Sequence, residues 1–360
     1  MERFSCKTKI LSGPGSIAQL SELKIQRLLL VTDPFFAQNG TAEKIVKLSG
    51  APHSKIFDGV QPDPSVSLAA EGTAVTRAFA PDTIVALGGG SAMDCAKAMA
   101  YFYQKPVVLV AIPTTSGSGS EVTDFAVLTH GSTKYPLVDP KVRPHVAILD
   151  ESLLQALPKS LVADSGFDVL AHALEAYVAK DAGAITDALA KEAFCVAFAH
   201  LPASYSGNKA VRGKIHQASC MAGIAFSQAG LGLCHAISHS LGGLFHIPHG
   251  RLNAILLPAV VSCNSAVAAE KYAKLARAAG IFGAADAVAV RNLKNTLIRL
   301  RRDLGLPENL TQAGVPPRML RGRLQDVVQA TLQDPCCKTN PLPVEDFMVE
   351  KILEEVAGHG

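Results

Sequence analysis

His235, His239 and His249 fall within fifteen residues, in the stretch CHAISHSLGGLFHIPHG (234–250). His235 and His239 stand four apart, so a helix places both imidazoles on one face, one turn apart. Gly242 and Gly243 weaken that helix, and Pro248 restricts the backbone just before His249. A helix ending this way can turn His249 back toward the same cavity. Upstream, GFDVLAHALEAY (166–177) repeats the spacing with Asp168 and His172. One carboxylate and several imidazoles from two helices suit a divalent transition metal. Imidazole accepts zinc, iron, nickel or copper, and the carboxylate hardens the set toward Fe(II) or zinc. A lone histidine on an apolar helix face is more often an ordinary core residue. Two such pairs, a Pro-His-Gly turn and an aspartate in one chain argue for the metal instead.

A second chemistry is written nearer the amino terminus. GGGSAMD (88–94) follows the apolar run Thr83–Leu87 and opens a helix. Backbone amides at such a turn, with the helix dipole, bind phosphate, and glycines let the chain approach a pyrophosphate closely. A capping box formed by Ser91 and Asp94 is the purely structural reading, and the two are compatible. The loop is neither G-x-G-x-x-G nor the first turn of the sheet, where that fingerprint normally sits. PTTSGSGSE (113–121) follows the next apolar run and has the small hydroxyl residues and glycines of a loop lining a ligand cleft. Asp33 ends the first buried run. A carboxylate there can accept hydrogen bonds from both ribose hydroxyls of NAD and repels the extra phosphate of NADP, while Asp-Pro is also an ordinary turn.

These residues need two kinds of scaffold. Arg27–Thr32, Thr83–Leu87, Val107–Ile112 and Val146–Leu149 read as short buried strands, with an edge hairpin near Lys134–Val138. Helical segments separate them, which predicts a parallel sheet covered on both faces. After Pro158 the pattern is helical: 159–180, 184–203, 209–228, 233–245, 264–281, 286–304 and 345–357 repeat apolar residues at three and four, with loops and short helices over 305–343. The expected architecture is an α/β dinucleotide-binding domain over 1–158 and an all-α metal-binding domain over 159–360.

The whole chain agrees. It has 360 residues, 48% hydrophobic and 18% charged, as a well-packed globular enzyme does. A net charge of +3 is too mild and too scattered to argue for nucleic acid or a membrane surface. No uninterrupted apolar run approaches the ~20 residues of a transmembrane helix, and the amino terminus lacks the apolar core of a signal peptide. Eight cysteines without regular spacing read as free thiols of a reducing cytosol.

GGGSAMD, PTTSGSGSE, GFDVLAHALEAY, CHAISHSLGG and HIPHG, in that order, resemble the iron-dependent (group III) alcohol dehydrogenase family, from Lys9 to the Thr-Asn-Pro at 339–341. The chain length and AFSQAGLGL (225–233) are most similar to the propanol and ethanol dehydrogenases of bacterial microcompartments. The resemblance implies metal ligands at Asp168, His172, His235 and His249. It places His239 outside the ligand set, near the nicotinamide, where it could relay a proton. It implies NAD contacts at Asp33, Gly89, Gly90, Ser91, Asp94, Thr114, Thr115, Ser118 and Lys134, with the active site in a cleft between the domains. The implied reaction interconverts a short-chain primary alcohol, propanol or ethanol, and its aldehyde with NAD(H), on Fe(II) or zinc, working as an aldehyde reductase. A polyol dehydrogenase is the alternative within the superfamily. The resemblance also implies a homodimer, residence in the cytoplasm or in a microcompartment beside its other enzymes, and no nucleic-acid or membrane partner. Cys234, before the first histidine, departs from the family pattern. A lyase of the same layout would carry different ligand spacing, and a hydrolase would leave the glycine and Thr-Thr loops without purpose.

Overall fold

The computed structural model describes residues 4–131 and 133–358, so the first three residues of the amino-terminal stretch lie outside it. The chain divides into two compact units, Ser5–Leu157 and the chain from Pro158 onward.

In the first unit the chain runs β1 (Lys9–Ser12), β2 (Arg27–Val31), α1 (Pro34–Gln38), α2 (Thr41–Ser49), β3 (His53–Phe57), α3 (Val66–Phe79), β4 (Thr83–Gly88), α4 (Gly90–Tyr103), β5 (Val108–Pro113), β6 (Phe125–His130), β7 (Thr133–Val138) and β8 (Val146–Leu149). Six strands form one parallel sheet in the order β1-β8-β5-β4-β2-β3. Alternate residues of the buried strands feed two separate cores. Leu28, Leu30, Val85, Leu87, Val110 and Ile112 pack on one face with Ile17, Leu20 and Ile45. Leu29, Val31, Ile84, Ala86, Leu109 and Ala111 pack on the other with Met93 and Met99 of α4. Both faces are covered, which is why these strands read as unbroken apolar runs. The expected hairpin exists, but it is β6 paired antiparallel with β7 in a sheet of its own, not an edge of the main sheet.

The second unit is helical: α5 (Lys159–Val178), α6 (Ala184–Tyr205), α7 (Arg212–Ala229), α8 (Leu233–Phe245), α9 (His249–Ala278), α10 (Asp286–Asp303), α11 (Pro317–Gly322), α12 (Leu324–Gln333), α13 (Cys336–Thr339) and α14 (Asp346–Ala357). Two expectations need correction. Gly242 and Gly243 do not weaken α8: it runs through both, buried, to Phe245, and ends where His246 turns left-handed at φ 54°. His249 is not on a loose turn. Pro248 caps α9, and His249 is the first residue of a thirty-residue helix that continues through Pro258. Among the described residues, α9 alone has the length and apolarity of a membrane span, with mean hydropathy 1.7 in its most apolar stretch, yet 67% of that stretch is buried inside the protein. A core helix passes the same test. All eight cysteines are free.

Candidate active site

In the α/β unit, β2, β4 and β5 are neighbours, so their carboxyl ends meet at one edge of the sheet. The chain crosses from one side of the sheet to the other at β2 and β4, and ligands of open α/β sheets bind in the crevice beyond such a point. Asp33 stands at the end of β2, the glycine turn at the end of β4, and the Thr-Thr loop at the end of β5. Gly89 caps α4 with no side-chain hydrogen bond, so the Ser91–Asp94 capping box does not form and the first amides of the helix stay open. Gly88 has φ 148°, a backbone conformation that L side chains rarely adopt. A Cβ on Gly89 would come 3.2 Å from Thr115 Oγ1, and one on Gly90 would come 3.2 Å from Ser118 Cβ. The Thr-Thr loop therefore lies directly against the glycine turn, and Thr114 N–H donates to Gly88 O at 2.9 Å.

The remaining residues with an implied NAD role fall into two groups. Asp33 Oδ1 accepts from the Phe35 and Phe36 amides and caps α1, while its Oδ2 lies 3.6 Å from where a Gly88 Cβ would stand. Its carboxylate thus borders the glycine turn. Lys134 Nζ pairs with Asp63 Oδ1 at 2.7 Å. Asp94 turns away from the glycine turn: one oxygen accepts from Ser120 Oγ at 2.8 Å and the other from Val127 N–H at 3.1 Å. Beside it, fully buried Lys97 donates to Ser120 Oγ, Thr123 Oγ1 and Phe125 O. The two side chains tie α4 to the base of the Thr-Thr loop and to β6. Burial pushes the Lys97 ammonium down to about 8, against the pull of the Asp94 and Glu121 carboxylates.

The metal-type residues gather within the helical unit. Asp168, His172, His235 and His249 each offer one ligand atom, and these atoms lie within 4.8 Å of one another. Asp168 Oδ1 is 3.7 Å from His172 Nδ1, 3.8 Å from His235 Nε2 and 3.6 Å from His249 Nε2. A tetrahedral centre with bonds of about 2.1 Å separates its ligands by about 3.4 Å, close to the three distances from Asp168. Asn253 Nδ2 faces three of these atoms, at 2.8 Å from Asp168 Oδ1, 3.3 Å from His235 Nε2 and 3.2 Å from His249 Nε2. Asn253 thus offers one donor group to the carboxylate and two imidazole nitrogens of the set. Burial raises the pKa of Asp168, but the surrounding imidazoles of His172, His249 and His235 outweigh it and hold the carboxyl well below the usual range.

Packing fixes the rings. His172 is stacked between Phe226 and His235, each at 4.4 Å. His239 stacks on His249 at 5.2 Å but directs Nδ1 to Asp334 Oδ2 at 2.8 Å. Burial alone would raise Asp334. The hydrogen bond and charge of His239 overcome it and bring the carboxyl to about 2. His239 thus lies beside the cluster. Phe226 abuts the cluster through His172, whereas Phe125 lies in the other unit with its ring 5.8 Å from Lys97 Nζ.

Sequence reasoning missed Glu175, Asn253 and Asp334. Glu175 stands three residues after His172 and Asn253 four after His249, so the helical spacing that found the ligands also held their supports. A charged residue inside the apolar stretch of α5 was the available signal. Asp334, 95 residues from His239, had none.

Comparison with known proteins identifies the family. Residues 7–151 match the model of the family described as iron-containing alcohol dehydrogenase, and residues 162–357 match that of the Fe-containing alcohol dehydrogenase family, C-terminal. The 1-propanol dehydrogenase PduQ of Citrobacter freundii is 39% identical over 369 residues, covering 99% of this chain and 100% of that protein. The NADPH-dependent butanol dehydrogenase of Clostridium saccharobutylicum is 37% identical, covering 98% and 97%. Among solved structures, the iron-containing alcohol dehydrogenase of Thermococcus thioreducens superimposes with a TM-score of 0.90 at 33% identity, over 99% of each chain. Two family models in tandem, full-length relatives and a shared fold establish that the chain belongs to the iron-containing alcohol dehydrogenase family.

Proposed function

We propose that this oxidoreductase interconverts a short-chain primary alcohol, propanol or ethanol, and its aldehyde with NAD(H), working as an aldehyde reductase. In this reading residues 1–158 bind NAD, and residues 159–360 hold Fe(II) or zinc on Asp168, His172, His235 and His249. The observation that carries it is the convergence of those four ligand atoms within 4.8 Å. When bound, the metal supplies Lewis acidity toward the alcohol oxygen and NAD supplies the hydride acceptor.

The chain's own side chains do the rest. The open amides of Gly89, Gly90 and Ser91 at the start of α4 receive the pyrophosphate, with the hydroxyls of Thr114, Thr115 and Ser118 beside them. Asp94 acts by anchoring the Thr-Thr loop through Ser120, and Lys134 adds positive charge. Asp33 accepts from the ribose hydroxyls, and its charge disfavours the phosphate of NADP. That favours NAD even though the butanol dehydrogenase relative is named as NADPH-dependent. His239, with Nδ1 committed to Asp334, keeps Nε2 to accept and release a proton. Phe226 presents apolar surface beside His172, which suits a short alkyl group better than a polyol.

The test is anaerobic: purified protein, NADH, added Fe(II) or zinc, and a panel of short aldehydes and hydroxyaldehydes, followed by loss of NADH absorbance. Metal-dependent turnover of propanal or acetaldehyde supports the reading. Turnover confined to hydroxyaldehydes would move it to a polyol dehydrogenase, and no turnover with metal bound would refute it. The resemblance of residues 225–233 also supports residence in a microcompartment, and that to the family a homodimer, to be checked by co-fractionation with shell proteins and by light scattering.

A further inference from the structure

Glu175 is almost fully buried, at 1% exposure, in the middle of α5. A carboxylate in such a place demands several donors, and here they come from the start of α8. Oε1 accepts from Cys234 N–H at 2.7 Å. Oε2 accepts from Gly232 N–H at 3.0 Å, from His235 N–H at 3.3 Å and from His235 Nδ1 at 2.6 Å. The one remaining amide of that turn, Leu233 N–H, goes to Asn340 Oδ1 at 3.1 Å. No side chain of the N-cap itself serves α8, whose cap is Gly232. A Cβ there would stand 2.7 Å from Asn340 Oδ1 and 2.9 Å from Glu175 Oε1, so glycine is what admits both acceptors.

The imidazole contact is different in kind from the amide contacts. Backbone amides cap a helix wherever an acceptor is offered, but a bond at Nδ1 decides which ring nitrogen of His235 carries the proton. With Nδ1–H given to a carboxylate, Nε2 is left with its lone pair. Nε2 is the atom that faces Asp168 Oδ1 and Asn253 Nδ2. The ring cannot swing away either, because His172 is stacked on it.

We propose that Glu175 is a positioning residue for metal binding: one buried carboxylate fixes both the start of α8 and the tautomer and orientation of His235, so that Nε2 reaches the cluster as a ligand. The proposal rests on the reading of Asp168, His172, His235 and His249 as the metal site. It makes the polar start of α8 and the ligand geometry one unit rather than two. A carboxylate behind a ligating imidazole also raises its basicity, and loss of such partners typically weakens metal binding about 10–100-fold.

The experiment compares wild type, Glu175→Gln, Asn340→Ala and His235→Ala, each stripped with chelator. Zinc affinity is read by competition with a chromogenic chelator, and ligand geometry by the visible spectrum of the Co(II) form. Glutamine has almost the shape of glutamate but no charge, and its NH2 opposes Cys234 N–H in one orientation and the three donors on Oε2 in the other. Glu175→Gln is expected to bind zinc about 10–100-fold more weakly and to shift the cobalt bands. Asn340→Ala removes a cap of the same turn without touching His235, and is expected to lower the unfolding temperature with the cobalt bands unchanged. If Glu175→Gln behaves like Asn340→Ala, with wild-type bands and zinc affinity, Glu175 is only a cap and the proposal is overturned. Full metal content in His235→Ala would instead overturn the metal-site reading beneath it. Should Glu175→Gln fail to fold, 15N spectra of histidine-labelled wild type with zinc decide. His235 protonated at Nδ1 and metal-bound at Nε2 supports the proposal, and the reverse refutes it.

Discussion

Gly250 offers the sharpest mechanical test of the metal site. It follows His249 in the first turn of α9, and a Cβ added there would stand 2.0 Å from the backbone carbonyl oxygen of Asp164 and 2.6 Å from its carbonyl carbon. Ordinary contact begins at 3.4 Å, so α9 and α5 must part by more than about 1 Å at this point. No side chain can flex to relieve the clash, because the obstacle is backbone. The displaced strip carries His249 on one side and, four residues on from Asp164, Asp168 on the other. Arg251 resists the movement by gripping both oxygens of Asp164, at 3.2 and 2.9 Å. Metal–ligand distances tolerate only about 0.2 Å. Gly250→Ala is therefore expected to cost about 1–3 kcal/mol of stability as overpacking and to weaken zinc binding at least tenfold, by analogy with disturbed outer-shell partners. The assay is chelator competition for zinc together with thermal unfolding of metal-free and zinc-loaded protein. Gly322→Ala, whose Cβ would meet nothing within 4 Å, is the control and is expected to be neutral or slightly stabilising. Wild-type zinc affinity in Gly250→Ala would refute the idea that the α5–α9 backbone approach sets His249.

Three further outcomes follow from the geometry. Asp33→Asn keeps an oxygen to cap α1 while removing the charge, and is expected to raise kcat/KM with NADP relative to NAD by about tenfold, equivalent to about 1.4 kcal/mol; an unchanged ratio would remove Asp33 from ribose recognition. His239→Ala is expected to keep its metal, measured by elemental analysis, while kcat falls about 100-fold or more; loss of metal together with activity would contradict its place outside the ligand set. Lys97 gives a pH signature. Its folded pKa of about 8 lies below the ordinary 10.5, so between these values the unfolded chain binds more protons and stability rises with pH. Lys97→Met should flatten that rise in urea midpoints measured across the range, and an identical slope would mean that the rise comes from other groups.

Much of the candidate site was legible because helices impose one spacing on all their residues, although only the family resemblance set His239 apart from the proposed ligands. Asp168–His172 and His235–His239 announce themselves at four, and the strands β2, β4, β5 and β8 announce themselves as apolar runs because both sheet faces are buried. Strands β1 and β3 were illegible for the converse reason. They sit at the two edges of the sheet and are mostly exposed, so KILS and HSKIF carry no apolar signature. The continuity of α9 was hidden by Pro258, which sequence rules treat as a breaker. Packing overrides it: Leu252 through Val261 are all buried, and that burial holds the turn together. Glu175 was passed over because a glutamate in a helix ordinarily faces water. Its four donors come from a segment 57–60 residues away, a distance no local pattern reports.

The placement of β1 has a consequence for biosynthesis. This strand leaves the ribosome before the other strands of the sheet, yet among the described residues its only partner in the sheet is β8, and the Thr8 hydroxyl beside it bonds a carbonyl 136 residues further along. At synthesis rates of about 5–20 residues per second, roughly 7–30 seconds pass before that partner exists. During the interval β2, β3, β4 and β5 can already assemble, since each has a neighbour close in the chain, while β1 waits as an unpaired polar segment. Its exposed residues, Lys9, Ile10 and Ser12, are for the most part poor material for the premature strand pairing that long apolar edges invite. The sequence that made β1 hard to recognise is the same one that lets the nascent chain carry it safely until the last strand arrives.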